Sequence, residues 1–194
     1  MPLTKGMVHV YTGNGKGKTT SSFGLALRAS GHDLRVAVVQ FLKASGYSGE
    51  VLAARRFVPN IKVFSFGKKC PNASLHEEQI ARGSFQSFCK ECFSTTQEER
   101  EEAKEALEYA RRLAATNEFD VIILDEVNVA LSKSLVSLDE VMELVKNRKP
   151  NIELVLTGRN APQEIIELAD FATEMRCIKH VWDAGMPARP GIEF

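Results

Sequence analysis

Gly13-Asn14-Gly15-Lys16-Gly17-Lys18-Thr19-Thr20 lies between an apolar run, Met7-Val8-His9-Val10-Tyr11, and a stretch where Phe23, Leu25, Ala26 and Leu27 recur at helical spacing before Gly31. Strand, glycine-rich turn and helix, in that order, form the setting of a phosphate-binding P-loop. Glycine lacks the Cβ that would stop backbone N–H groups converging on phosphate oxygens, and the helix N-terminus adds a favourable dipole. Lys18 supplies a mobile positive charge, and the Thr19 hydroxyl can reach a magnesium ion. The fit to G-x-x-x-x-G-K-[ST] is imperfect, because Thr12 holds the first glycine position. A glycine-rich turn with incidental lysines is the plain alternative.

A second motif argues against that alternative. Val121-Ile122-Ile123-Leu124-Asp125-Glu126 places two carboxylates at the carboxyl end of an apolar strand, where the ligand crevices of α/β sheets form. In P-loop proteins such a pair serves the metal, directly or through water. Alone it could merely cap the next helix; with the P-loop it implies a nucleoside triphosphate and magnesium. A kinase, an ATPase and an alkyl transferase would all satisfy both motifs.

Outward from these motifs the chain alternates strands and helices. Strands are expected at Arg35–Phe41 and Ile61–Phe64, with a helix from an Ser48 cap through Arg56 between them. Residues 67–96 carry no clear period, which in a compact domain marks a functional or mobile loop. Thr95-Thr96-Gln97-Glu98 reads as a capping box before a helix with the stripe Ala103, Ala106, Leu107, Ala110, Leu113 and Ala114. Strand Val121–Leu124, helix Leu138–Lys149 capped by Ser137 and Glu140, strand Ile152–Leu156, helix Pro162–Ala169 and strand Ala172–Ile178 complete the series. Such βα units predict an α/β fold, a P-loop NTPase-like three-layer sandwich with a mainly parallel sheet. One domain spans 1–194, with a cysteine-containing insertion at 67–96 and an extended tail at 181–194.

The composition restricts the partners. Lys plus Arg and Asp plus Glu are 25 each, so net charge points to neither nucleic acid nor membrane. No apolar run approaches membrane-spanning length and Met1–Gly6 has no apolar core, so a cytoplasmic protein is expected. There the four cysteines speak for thiols or a metal rather than disulfides.

Longer strings narrow the function. The P-loop is followed in order by Val38-Val39-Gln40-Phe41-Leu42-Lys43, Leu124-Asp125-Glu126, Leu156-Thr157-Gly158-Arg159-Asn160-Ala161-Pro162, Thr173-Glu174-Met175-Arg176, Ile178-Lys179-His180 and Gly191-Ile192-Glu193-Phe194. This series resembles the ATP:corrinoid adenosyltransferases of cobalamin synthesis and salvage, over nearly the whole chain. The resemblance implies that the Co(I) of a reduced corrinoid attacks the 5′ carbon of ATP and that tripolyphosphate leaves. It also implies an external electron donor for the cobalt, and homodimers are frequent in the family. The substrate's own cobalt is then the nucleophile, and no Ser, Cys or His with a poised base is needed.

Carried over by motif, Gly13, Asn14, Gly15, Lys16, Gly17, Lys18, Thr19 and Thr20 hold the triphosphate. Lys18, Thr19 and Glu126 are the catalytic candidates, and Thr19, Asp125 and Glu126 are the magnesium candidates. Arg28, three turns into the first helix, is either a nucleotide contact or a solvated arginine. Gln40 and Lys43 end the second strand, and Arg159 and Asn160 the fifth. Either pair could touch ribose, phosphate or corrin, and a turn role for Asn160-Ala161-Pro162 fits equally. Family members cover the corrin with an aromatic segment after the third strand. Here the candidates are Phe66, Phe85, Phe88 and Phe93, each of which could instead pack the loop on the core.

Two rival readings stay open: a P-loop nucleoside or small-molecule kinase, and a non-catalytic corrinoid or nucleotide-binding protein. Finally, Cys89-Lys90-Glu91-Cys92 has the two-residue spacing that lets both thiolates grip one tetrahedral ion. Cys70 and His76 complete a candidate zinc set, with three reduced thiols or a redox pair as alternatives. Cys177 is expected in a buried strand as a small core residue.

Overall fold

The computed structural model describes residues 3–43, 48–68, 72, 74–75, 78–79, 96–181, 185–186 and 188–193. Six strands, β1 (Val8–Thr12), β2 (Val36–Gln40), β3 (Ile61–Ser65), β4 (Val121–Asp125), β5 (Glu153–Thr157) and β6 (Phe171–Glu174), form one sheet in the order β3-β2-β4-β5-β1-β6. Every pairing is parallel. The helices between them include α1 (Lys18–Ser30), α2 (Gly49–Phe57), α3 (Gln97–Ala114), α4 (Val127–Ser132), α5 (Leu138–Asn147) and α6 (Gln163–Glu167).

The central strands are apolar throughout because both faces are covered. Along β2 and β4, Ala37, Val39, Ile122 and Leu124 join the cluster containing the stripe of α3 and the inner residues of α4 and α5. Val36, Val38, Val121 and Ile123 join Phe23, Ala26 and Ala29 of α1 and Val51 and Ala54 of α2. The two-residue period of the strand thus splits one apolar run between two cores. Each fully buried leucine or isoleucine contributes about 1.5–3 kcal/mol. The register places Gln40 beside Asp125, and Leu124 beside Leu156, so the carboxyl ends of β2, β4 and β5 form one level edge.

Four local expectations need correction. The cap of α3 is one residue later: Thr96 accepts from the Glu99 N–H at 3.2 Å, which turns the Glu99 side chain inward to meet Lys133 at 3.3 Å. Helices α5 and α6 are shorter than Leu138–Lys149 and Pro162–Ala169, although the Ser137/Glu140 capping box is present. Helix α4 had no counterpart in the sequence reading. The last strand stops at Glu174 rather than Ile178, and all four of its residues are exposed, because β6 is an edge strand paired only with β1. Cys177 therefore lies beyond the strand, half-buried, and not in the core. No helix among the described residues is long and apolar enough to cross a membrane.

Candidate active site

The phosphate loop leaves β1 with Gly13 at φ 94° and enters α1 through Gly17 at φ 110°, left-handed conformations that side chains resist. Gly13 and Gly15 are also closely approached. A Cβ on either would come within 2.5 or 2.6 Å of the Met175 carbonyl oxygen. That contact is a hydrogen-bonded clasp: Gly15 N–H donates to Met175 O at 2.6 Å and Met175 N–H to Thr12 O at 2.8 Å. Asn14 Oδ1 accepts from the Cys177 N–H at 3.0 Å. The chain after β6 therefore braces the loop from outside.

Thr12, the departure from the P-loop pattern, has a structural use. Its hydroxyl accepts from the Ala161 N–H at 3.1 Å, tying the Gly158–Ala161 turn to the end of the phosphate strand. A glycine there could not make this link.

Lys18 opens α1 and is only 7% exposed. Its ammonium donates to Gly13 O at 2.8 Å and Gly15 O at 2.7 Å, which curls the loop around it. Burial pulls its pKa below the ordinary lysine value; the Glu126 charge opposes this shift and Arg159 adds to it. Thr19 donates from its hydroxyl to Asp125 Oδ1 at 2.9 Å, so the loop and the acidic pair are in direct contact. Thr20, Lys16 and Asn14 are exposed. Lys16 reaches away from the loop, to Ile192 O at 3.1 Å and the Glu193 carboxylate at 3.5 Å. Arg189 holds that carboxylate in turn, and Glu193 is held down to about 2, mainly by its hydrogen bonds from Arg189.

Asp125 is fully buried and receives four donors. Thr19 and Thr157 hydroxyls each donate to Oδ1 at 2.9 Å, while Gln40 Nε2 at 3.1 Å and Lys43 Nζ at 2.7 Å donate to Oδ2. Burial alone would raise its pKa; the Lys43 charge and these hydrogen bonds outweigh it, and Asp125 lies below the usual carboxylate range. Glu126 shows the opposite shift. Burial and the neighbouring Asp125 charge push its pKa up, against the pull of Lys43, Lys18 and Arg159. Its backbone is left-handed, φ 67°, which costs a non-glycine residue about 1 kcal/mol or more. The Glu126 N–H donates to the Thr157 hydroxyl at 3.0 Å. Outliers of this kind gather where strain is retained for a site.

The other sequence candidates separate by place. Gln40 is buried with both amide ends engaged, to Asp125 and to the Ser65 hydroxyl at 2.9 Å, so it reaches the site through Asp125. Arg159 and Asn160 are exposed in the turn after β5, and Asn160 is left-handed at φ 56°. The Arg159 charge bears on Lys18 and Glu126, lowering the pKa of each. Arg28 is not brought there: it sits in the last turn of α1, ten residues or about 15 Å along the axis from Lys18. Phe66 packs on Tyr109 with ring centroids 5.6 Å apart, at the margin of the core.

Cys70, His76, Cys89, Cys92, Phe85, Phe88 and Phe93 lie outside the described residues. Among the described residues no three His, Cys, Asp or Glu side chains gather as a metal cluster. Sequence reasoning missed the Thr12 and Thr157 hydroxyls and the bracing by Met175. The parallel register that carries Thr157 to Asp125 cannot be seen in a linear string.

Residues 4–194 match the family described as ATP:corrinoid adenosyltransferase BtuR/CobO/CobP. The chain belongs to this ATP:corrinoid adenosyltransferase family. Among curated relatives, the corrinoid adenosyltransferase of Pseudomonas aeruginosa is 34% identical over 191 residues, covering 98% of this chain and 84% of that one. The corrinoid adenosyltransferase of Escherichia coli (strain K12) is 33% identical over 190 residues, with 98% and 86% covered. That of a Sinorhizobium species is 36% identical over 194 residues, with 98% and 81% covered. As an adenosyltransferase of this family, the chain is an enzyme of ATP-dependent corrinoid adenosylation.

Proposed function

We propose that the chain joins the Co(I) of a reduced corrinoid to the 5′ carbon of ATP and releases tripolyphosphate. The observation that carries this reading is the direct contact of the phosphate loop with the acidic pair, through Thr19 and Asp125, in a chain that matches the family from residue 4 to residue 194. The electron pair of Co(I) forms the new cobalt–carbon bond as the bond from the 5′ carbon to oxygen breaks. The departing oxygen keeps its electron pair within tripolyphosphate. Such a reaction asks the protein to position two substrates and to neutralise a highly charged leaving group.

The residues suit that work. Amides of the 13–20 loop and the N-terminus of α1 receive phosphate oxygens. Lys18 neutralises charge from inside the loop, and Arg159 does so from the facing turn. Thr19, Asp125 and Glu126 offer the hard oxygen donors that magnesium prefers, and the Thr19 and Asp125 oxygens already converge. When bound, the ion would screen the phosphate charge. Glu126 gains most from it, since a nearby cation relieves the burial that pushes its carboxyl upward.

The corrinoid comes from its reductant, an electron-donating partner, in the cytoplasm, and the enzyme works as a homodimer. Cys70, His76, Cys89 and Cys92 would supply the thiolate and imidazole donors of a tetrahedral zinc site. The reading is tested by mixing the protein anaerobically with ATP, magnesium and a chemically reduced corrinoid. A light-sensitive alkyl–cobalt spectrum is expected. Binding of both substrates without that spectrum would make the chain a non-catalytic corrinoid or nucleotide-binding protein.

A further inference from the structure

A fully buried carboxylate such as Asp125 needs a counter-charge when no ligand is present. Lys43 supplies it. Its ammonium lies 2.7 Å from Asp125 Oδ2 and 3.4 Å from Thr19 Oγ1. These are the carboxylate and hydroxyl that the P-loop pattern gives to the divalent cation. The ammonium thus stands between the metal's own donors.

The backbone is shaped for this placement. Leu42 adopts φ 61°, a conformation that a leucine takes only at a cost. The kink directly precedes Lys43, and Lys43 N–H then donates to Phe66 O at 3.1 Å. The side chain is 30% exposed while Asp125 is wholly enclosed, so the lysine has an open side toward which it can move. The flexible stem and compact charge of lysine suit a mobile cation better than the rigid fork of arginine.

We propose that the Lys43 ammonium is the resident cation of the ligand-free site, and that metal–triphosphate binding displaces it from Asp125 onto the phosphate chain. The exchange keeps Asp125 neutralised in both states and brings one more positive charge to the leaving group as the nucleotide arrives. Lys43 is a positioning group in the first state and a phosphate contact in the second. Only the identity of the triphosphate rests on the adenosyltransferase reading.

The test is binding of Mn2+ without nucleotide, followed by electron paramagnetic resonance, in the wild type, Lys43→Met and Lys43→Gln. Lys43→Gln removes the charge and retains an N–H donor, on a side chain one atom shorter. Purification in magnesium followed by chelation keeps either variant in hand should it need metal to stay folded. Loss of the competing cation should tighten Mn2+ binding by about tenfold or more in both variants. Their melting temperatures should fall in EDTA and recover in magnesium, by mass action on the folded state, while the wild type shifts little. Mn2+ binding equal to or weaker than wild type in both variants would overturn the proposal, as a merely structural lysine predicts. Because neither ATP nor corrinoid is present, these outcomes do not depend on which group the enzyme transfers.

Discussion

Lys18→Ala separates the chemistry of the phosphate loop from its architecture. In the free protein the Lys18 ammonium donates to two loop carbonyls, Gly13 O and Gly15 O. Hydrogen bonds from a charged donor are worth about 1.5–3 kcal/mol each. The loop lies at the sheet edge, where water can replace part of them, so about 1–2 kcal/mol of stability should be lost. For a chain of this size that is a drop of about 2–8 °C in melting temperature. The effect on rate should be larger. Lys18 as a residue is only 7% exposed, so its charge acts on the triphosphate with reduced screening. Removing one preorganised donor of this kind costs about 2.7–4 kcal/mol at the transition state, or 10²–10³ in rate. The assay is the rate constant for alkyl–cobalt formation at saturating ATP, with a thermal melt on the same sample. Lys18→Arg should not rescue, because the wider guanidinium does not fit between the two carbonyls. An unchanged rate constant for Lys18→Ala would show that the reacting end of ATP lies elsewhere.

Glu126→Gln should raise the melting temperature of the ligand-free protein at neutral pH and leave it unchanged near pH 4. The reason is the raised pKa of Glu126: ionising it costs stability as pH rises through its folded value, and protonation below its unfolded value removes that cost. The same variant should weaken magnesium–ATP binding on the order of ten- to a hundredfold by calorimetry. Thr157→Val removes a donor to Asp125 and the acceptor of the Glu126 N–H. It should cost about 1–3 kcal/mol, seen in a urea melt, and lower activity beyond that loss. Protein purified without a His-tag should carry about one equivalent of zinc per chain by elemental analysis, and less than about a tenth would sink the Cys70, His76, Cys89 and Cys92 set.

What the linear sequence revealed, and what it hid, follows from the range of the interactions. Strands β1, β2, β4 and β5 are readable because each lies inside the sheet with its apolar run covered, and β3, though at an edge, keeps a readable run because its apolar residues stay at least partly buried. The edge strand β6 gives no such signal, and reading it as buried misplaced Cys177. Helix α4 hides because six residues fall short of a helical repeat, and its start is the strained Glu126 rather than a capping side chain. The phosphate loop is legible because its chemistry is local. The four donors on Asp125 come from α1, from β2 and the residues just after it, and from β5, up to 106 residues away from it, and only the parallel register gathers them. The use of Thr12 likewise depends on a turn 149 residues later in the chain.

In the proposed reaction the 5′ carbon of ATP, and not its terminal phosphorus, is attacked. Its most direct test is the phosphate product formed in a single turnover with reduced corrinoid, resolved by ion exchange and phosphorus NMR. One intact tripolyphosphate is expected for each cobalt–carbon bond, appearing at the same rate. Stoichiometric ADP would contradict it and move the enzyme to the kinases.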